Sequence, residues 1–123
     1  MDIEKTKLFD SELKIMESLW RYGELTAKQI AELLAGEIGW NKNTTYTVIK
    51  KCIDKGAIER MEPNFLCRPL ILKEEVQKQE VNNLVHKMFD GSVNKLFACL
   101  MDNRELSDDM IEKLKQVVND EEM

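Results

Sequence analysis

A mostly helical chain with one small β-hairpin is the fold class that this 123-residue sequence predicts, and three observations predict it. Short apolar runs at helical spacing recur between residues 8 and 55, each with a capping residue and a glycine beside it. A hairpin signal follows at 57–71, with Pro63-Asn64 at its tip. From Lys73 onward the character changes to longer, acidic, amphipathic runs.

The first run covers 8–22. Phe9, Leu13, Met16 and Trp20 recur at helical intervals, and Ile15 and Leu19 widen the stripe. Asp10 or Ser11 can cap its start, and Gly23 fits its stop. The second run, from about 27 to 35, holds Ala27, Ile30, Ala31 and Leu34. Thr26 and Gln29 form the capping-box pattern T-x-x-Q, and Gly36 is the expected end. Trp40 lies in the connector that follows. The third helix is expected from about 43 to 55, capped by Asn41 or Asn43 and ended by Gly56. At 100° per residue, Thr45, Val48, Ile49, Cys52 and Ile53 fall on one side. Asn43, Thr47 and Lys50 face away, flanked by Thr44 and Lys51. In the hairpin, Pro69 suggests an edge strand, because proline cannot donate to a ladder.

The remaining runs are a polar helix at 73–89, a run from Ser92 to Met101, and a last helix capped by Ser107. Asp108 and Asp109 suit the positive end of that last dipole. The expected domains are therefore 1–72 and 73–123.

Composition narrows the function. There are three cysteines, Cys52, Cys67 and Cys99, with no C-x-x-C pair, and one histidine, His86. That is neither a disulfide framework nor a metal site. No glycine-rich phosphate loop, G-x-S-x-G or H-E-x-x-H occurs. No enzyme, cofactor or metal is expected. No apolar run is long enough to span a bilayer, and Met1-Asp2-Ile3-Glu4-Lys5 lacks a secretion signal, so a cytoplasmic protein is expected. The net charge of −5 is uneven: residues 40–72 carry 6 basic against 3 acidic residues, while 73–123 carry 7 against 12. At a screening length of about 8 Å, a bound phosphate feels the local balance.

Three short helices followed by a hairpin is the order of a winged helix-turn-helix. In that fold the third helix enters the major groove of DNA and the wing lies beside a phosphate backbone. A reader helix needs short side chains, so that its backbone can approach, and donors that reach base edges. Asn43, Thr44 and Thr47 meet that need. Lys42, Lys50 and Lys51 suit phosphates, as do Arg60 and Arg68 on the wing. Each has a plainer alternative. Thr44 can serve as part of the cap, Lys55 can complement the helix dipole, and Tyr46 lies at the boundary where stacking and phosphate contact are both open. Trp20 and Trp40 read as core, and Asn64 as a turn conformer. One winged helix makes few contacts, and the usual remedy is a dimer on a palindrome. Val81, Leu84, Val85, Met88, Phe89, Leu96, Phe97, Leu100, Ile111, Leu114 and Val118 are the candidates for pairing across a two-fold axis. The other class of function is a winged helix that binds only a protein partner.

The sequence resembles the family of penicillinase and methicillin-resistance repressors (BlaI/MecI/CopY). The resemblance rests on Glu12-Leu13-Lys14-Ile15-Met16 with Leu19-Trp20, on Trp40 through Ile49, on Lys55-Gly56-Ala57-Ile58, and on Glu105-Leu106-Ser107. It implies a homodimeric repressor on a palindromic operator, with DNA contacts at Asn43, Thr44, Tyr46 and Thr47. Family members often carry Lys and Arg where this chain has Asn43 and Tyr46, which points to a different operator preference. The paired C-x-C motifs of copper-responsive members are absent. The β-lactam-responsive members are inactivated by cleavage of an Asn-Phe bond, in a system that includes a membrane sensor metalloprotease. Counted back from Glu105-Leu106-Ser107, the corresponding position here is Cys99-Leu100.

Overall fold

Helix α1, Asp10–Tyr22, begins where a carboxylate can cap it. The N-cap is Phe9 rather than Asp10 or Ser11: the Phe9 backbone N–H donates to Glu12 Oε1 at 2.7 Å. Gly23 closes the helix with a φ of 83°, a conformation open to glycine, and donates to the Leu19 carbonyl. In the computed structural model, which describes residues 7–102 and 107–122, the chain divides into two compact units between Gln79 and Glu80.

The first unit continues with strand β1, Leu25–Thr26, and helix α2, Ala27–Ile38. The expected capping box is present: Gln29 N–H donates to Thr26 Oγ1, and Thr26 N–H to Gln29 Oε1. The helix does not stop at Gly36. It runs to Ile38 and is closed by Gly39 in the left-handed conformation. Gly36 is exposed with open space around it, so the helix passes through at only the modest cost of a glycine interior. Helix α3, Lys42–Asp54, is capped by Asn41, whose Oδ1 accepts from Thr44 N–H at 2.8 Å. Its run of Thr44, Thr45, Thr47, Val48 and Ile49 is poor in intrinsic helix formers. Docking compensates, because Thr45, Val48, Ile49 and Cys52 are all buried. The Thr45 hydroxyl donates to the Asn41 carbonyl, so its burial leaves no orphaned group.

The wing consists of β2, Ile58–Met61, and β3, Leu66–Pro69, paired antiparallel. Contrary to the edge-strand expectation, β3 is central: the sheet order is β1-β3-β2. The proline is tolerated because β1 pairs only with Leu66 and Cys67 and stops short of Pro69. The loop carries positive φ at Asn64 (71°) and Phe65 (54°). Asparagine adopts that conformation readily, and phenylalanine does not.

Ile15, Met16 and Leu19 of α1, Ile30 and Leu34 of α2, Val48, Ile49 and Cys52 of α3, and Ile58 and Cys67 of the wing form the core of this unit. Each fully buried aliphatic side chain stabilises by about 1.5–3 kcal/mol. Trp20 packs against this core and donates its indole N–H to the Ile71 carbonyl at 3.0 Å; Trp40 packs against it too. Helix α4, Lys73–Met88, starts in the first unit, with Val76 in that core. The expected limits of 1–72 and 73–123 instead place the change at the start of α4.

The second unit holds the rest of α4, helix α5 (Val93–Asp102) and helix α6 (Asp108–Glu122). Ser92 and Ser107 cap α5 and α6 by accepting from Lys95 and Met110 N–H. Among the described residues, no helix is long and apolar enough to cross a membrane.

Candidate nucleic-acid interface

Helix α3 presents its outer face as its periodicity predicts. Lys42, Asn43, Thr44, Thr47, Lys50 and Lys51 are all exposed. Thr44 lends its backbone N–H to the Asn41 cap, and its side chain remains outside. Neither Lys50 nor Lys51 has an ion pair among the described residues. The surface is thus a row of short polar side chains edged by ammonium groups, a form that can approach base edges and phosphates.

Tyr46 stands apart from that row. It is half-buried, and its ring meets the Phe65 ring edge to face at 5.9 Å between centroids. Lys42 Nζ lies 5.7 Å from the Tyr46 centroid. In the wing, the Arg60 guanidinium lies over the Phe65 ring at 3.7 Å, and its Nε donates to Glu62 Oε1 at 2.7 Å. Four side chains therefore run from α3 to the wing as Lys42, Tyr46, Phe65 and Arg60. Phe65 carries no functional signal in the sequence beyond its place in a turn.

The two wing arginines separate. Arg60 faces Cys67 across the ladder and Arg68 faces Glu59. Directly opposed residues share a face and neighbours alternate, so Arg60 and Arg68 project from opposite faces. Arg60 lies on the face of buried Cys67, while Arg68 pairs with Glu24 at 3.6 Å on the other.

Beneath the interface, α1 and the end of α3 are tied by a buried charge. Glu12 is fully buried, and Lys55 Nζ donates to its Oε1 at 2.6 Å and to the Lys7 carbonyl at 3.0 Å. Lys55 also lies 4.1 Å from the Phe9 ring centroid. It therefore does more than complement the helix dipole. The available signal was Glu12 itself, a carboxylate at a core position of the stripe that continues through Ile15, Met16 and Leu19.

The buried thiols are chemically quiet. Burial pushes the Cys52 thiol up to about 12, with the nearby Glu12 charge adding to the effect. Burial pushes Cys67 up to about 11, partly offset by Arg60. Both stay protonated at neutral pH and do not act as nucleophiles.

In the second unit, Val85 is buried, and Phe89, Leu96, Phe97, Leu100 and Ile111 are half-buried. Val81, Leu84 and Met88 are exposed at helical spacing along α4. The side chains of Leu114 and Val118 lie outside the described residues, as do Glu105 and Leu106. Cys99 and Leu100 both lie inside α5, the first exposed and the second half-buried.

A comparison with known proteins follows the same outline. The family model of the penicillinase repressor matches residues 8–120. The methicillin resistance regulatory protein MecI of Mammaliicoccus sciuri is 26% identical over 121 residues, covering 97% of this chain and 98% of that protein. The penicillinase repressor of Bacillus licheniformis is 21% identical over 116 residues, covering 93% and 91%. The solution structure of the DNA-binding domain of the repressor BlaI is similar with a TM-score of 0.53 at 22% identity, over 57% of this chain and 88% of that one, a likeness of fold.

Proposed function

The chain belongs to the penicillinase repressor family, and on that premise we propose that it represses transcription as a homodimer bound to a palindromic DNA operator. The observation that carries the reading is the outer face of α3. Asn43, Thr44 and Thr47 are exposed together, and Lys42, Lys50 and Lys51 rim them without a carboxylate between. In this reading Asn43, Thr44 and Thr47 contact bases, while Lys42, Lys50, Lys51 and Arg60 contact phosphates. Arg68, on the opposite wing face, serves a different phosphate or a flanking segment.

The second unit supports the dimer part of the reading. Val81, Leu84 and Met88 are exposed large apolar groups on one stripe of α4, a surface that a second copy would remove from water. Two linked readers bind far more tightly than one. Release follows if a protease cuts at Cys99–Leu100, because the cut would detach the end of α5 and all of α6, and with them the pairing candidates Leu100, Ile111, Leu114 and Val118, leaving the α4 stripe to hold the two readers together alone. The helical backbone there must unwind before it can enter a protease.

The test is selection of duplexes from a random-sequence pool by the full chain, followed by titration at several salt concentrations. A selected inverted repeat and an affinity that falls steeply with salt are expected. No selected sequence, or salt-independent binding, would favour a protein-binding winged helix. Footprinting of the region upstream of the chain's own gene then identifies the operator.

A further inference from the structure

We propose that Tyr46 and Phe65 are positioning residues that lock the wing to the reader helix and hold the Arg60 guanidinium for a backbone phosphate, so that Tyr46 serves DNA binding without reading a base. The inference rests on the DNA-binding reading above and deepens it.

Three observations carry it. Tyr46 is half-buried and committed to Phe65, unlike exposed Asn43, Thr44 and Thr47 on the same helix. A ring held edge to face between two elements cannot swing out to stack on a base without giving up that contact. Phe65 has a positive φ of 54°, costly for a bulky side chain. Its surroundings repay the strain: Tyr46 meets the ring, Arg60 covers it, and its carbonyl accepts from Ala27 N–H at 2.9 Å. Arg60 is fixed in two directions. Its face lies on the Phe65 ring and its Nε–H is given to Glu62. A guanidinium has five N–H donors, so the four on the Nη atoms are committed to neither contact and suit a phosphate fork.

The mechanism is one of preorganisation. A cation on a loose hairpin loses rotamer freedom when it meets a phosphate. Arg60 is held before DNA arrives, at a spacing from α3 set by two rings. Lys42, whose Nζ lies 5.7 Å from the Tyr46 ring centroid, marks the helix end of the same strut.

The experiment uses the full chain and the duplex that the wild type selects from a random pool. The readouts are the slope of log K against log salt and the sequence each variant selects. Arg60→Ala should lower the slope by about 0.9 per protomer, one phosphate contact. Phe65→Leu and Tyr46→Leu should give the same loss, and Arg60→Ala with Phe65→Leu together should lose no more than Arg60→Ala alone. Tyr46→Phe should match the wild type in affinity, slope and selected sequence. An altered selected sequence or weakened binding in Tyr46→Phe would overturn the proposal, because the hydroxyl would then be touching DNA. So would a wild-type slope in Phe65→Leu, or losses that add. Should Phe65→Leu fail to fold, Tyr46→Phe still decides. A wild type that selects no duplex overturns the DNA-binding reading and this inference with it. A wild type that binds with an unmoved slope in Arg60→Ala overturns the inference alone.

Discussion

Glu12 Oε1 accepts from Lys55 Nζ at 2.6 Å, with the Glu12 side chain 1% exposed and that of Lys55 25% exposed. This pair ties the first turn of α1 to the residue that closes α3. The same oxygen caps α1 through Phe9 N–H, while Glu12 Oε2 is buried without a hydrogen-bond partner among the described residues. Lys55 is thus the cation that faces this buried carboxylate. Lys55→Met should destabilise the chain by about 2–3 kcal/mol, below the usual cost of breaking a buried pair because Lys55 is partly solvated. Glu12→Gln, which can keep the Phe9 acceptor, should cost less. Urea unfolding of both variants and the double variant checks this. Additive losses would show that the two do not act as a pair.

Thr47→Ala and Lys50→Ala separate base reading from phosphate contact. Thr47→Ala should cost about 1–3 kcal/mol on the selected duplex and broaden the selected sequence. Lys50→Ala should weaken all duplexes alike and lower the salt slope by about 0.9 per protomer. Fluorescence titration against matched and scrambled duplexes reads both. Wild-type behaviour in both variants would remove α3 from the interface.

The two glycines near the end of α2 should respond in opposite directions. Gly36 is helical and meets nothing, so Gly36→Ala should stabilise by about 0.5–1 kcal/mol. Gly39 has a φ of 73°, and Gly39→Ala should destabilise by about 1 kcal/mol or more. Thermal melts of the two variants decide whether the helix ends at Ile38 or at Gly36.

The thiols set a pH dependence with a definite sign. Unfolded cysteines ionise from 9.0, whereas Cys52 and Cys67 are held at about 12 and about 11 in the fold. As pH rises the unfolded chain loses these protons first, so stability is kept below about 9 and falls above it. Each thiol contributes a slope of about 1.4 kcal/mol per pH unit until its folded value is reached. Urea unfolding at about pH 8 and about pH 10 should show the fall, and Cys52→Ala should flatten it. A thiol reagent should modify exposed Cys99 in the native chain and reach Cys52 and Cys67 only after unfolding.

Charging the α4 stripe tests the association. Leu84→Glu or Met88→Glu should yield a monomer by analytical ultracentrifugation and weaken binding to a two-site duplex far more than to a half-site. An unchanged mass would move the interface elsewhere.

Local patterns in this chain were legible before any coordinates. The Thr26 to Gln29 capping box, Asn41 as one of two possible caps, the serine caps and the outward row of Asn43, Thr47 and Lys50 all depend on residues within about two helical turns of each other. The resemblance over Trp40 to Ile49 pointed to the same helix. Tertiary structure decided what those patterns could not. It placed β3 between two strands, because β1 is only two residues long and gains its identity from its partner. It sent Arg60 and Arg68 to opposite faces, paired Glu12 with Lys55, and joined Tyr46 to Phe65. Periodicity states which side of an element is turned inward. Which group waits there, from a segment 19 or 43 residues away in the chain, is settled only when the elements pack.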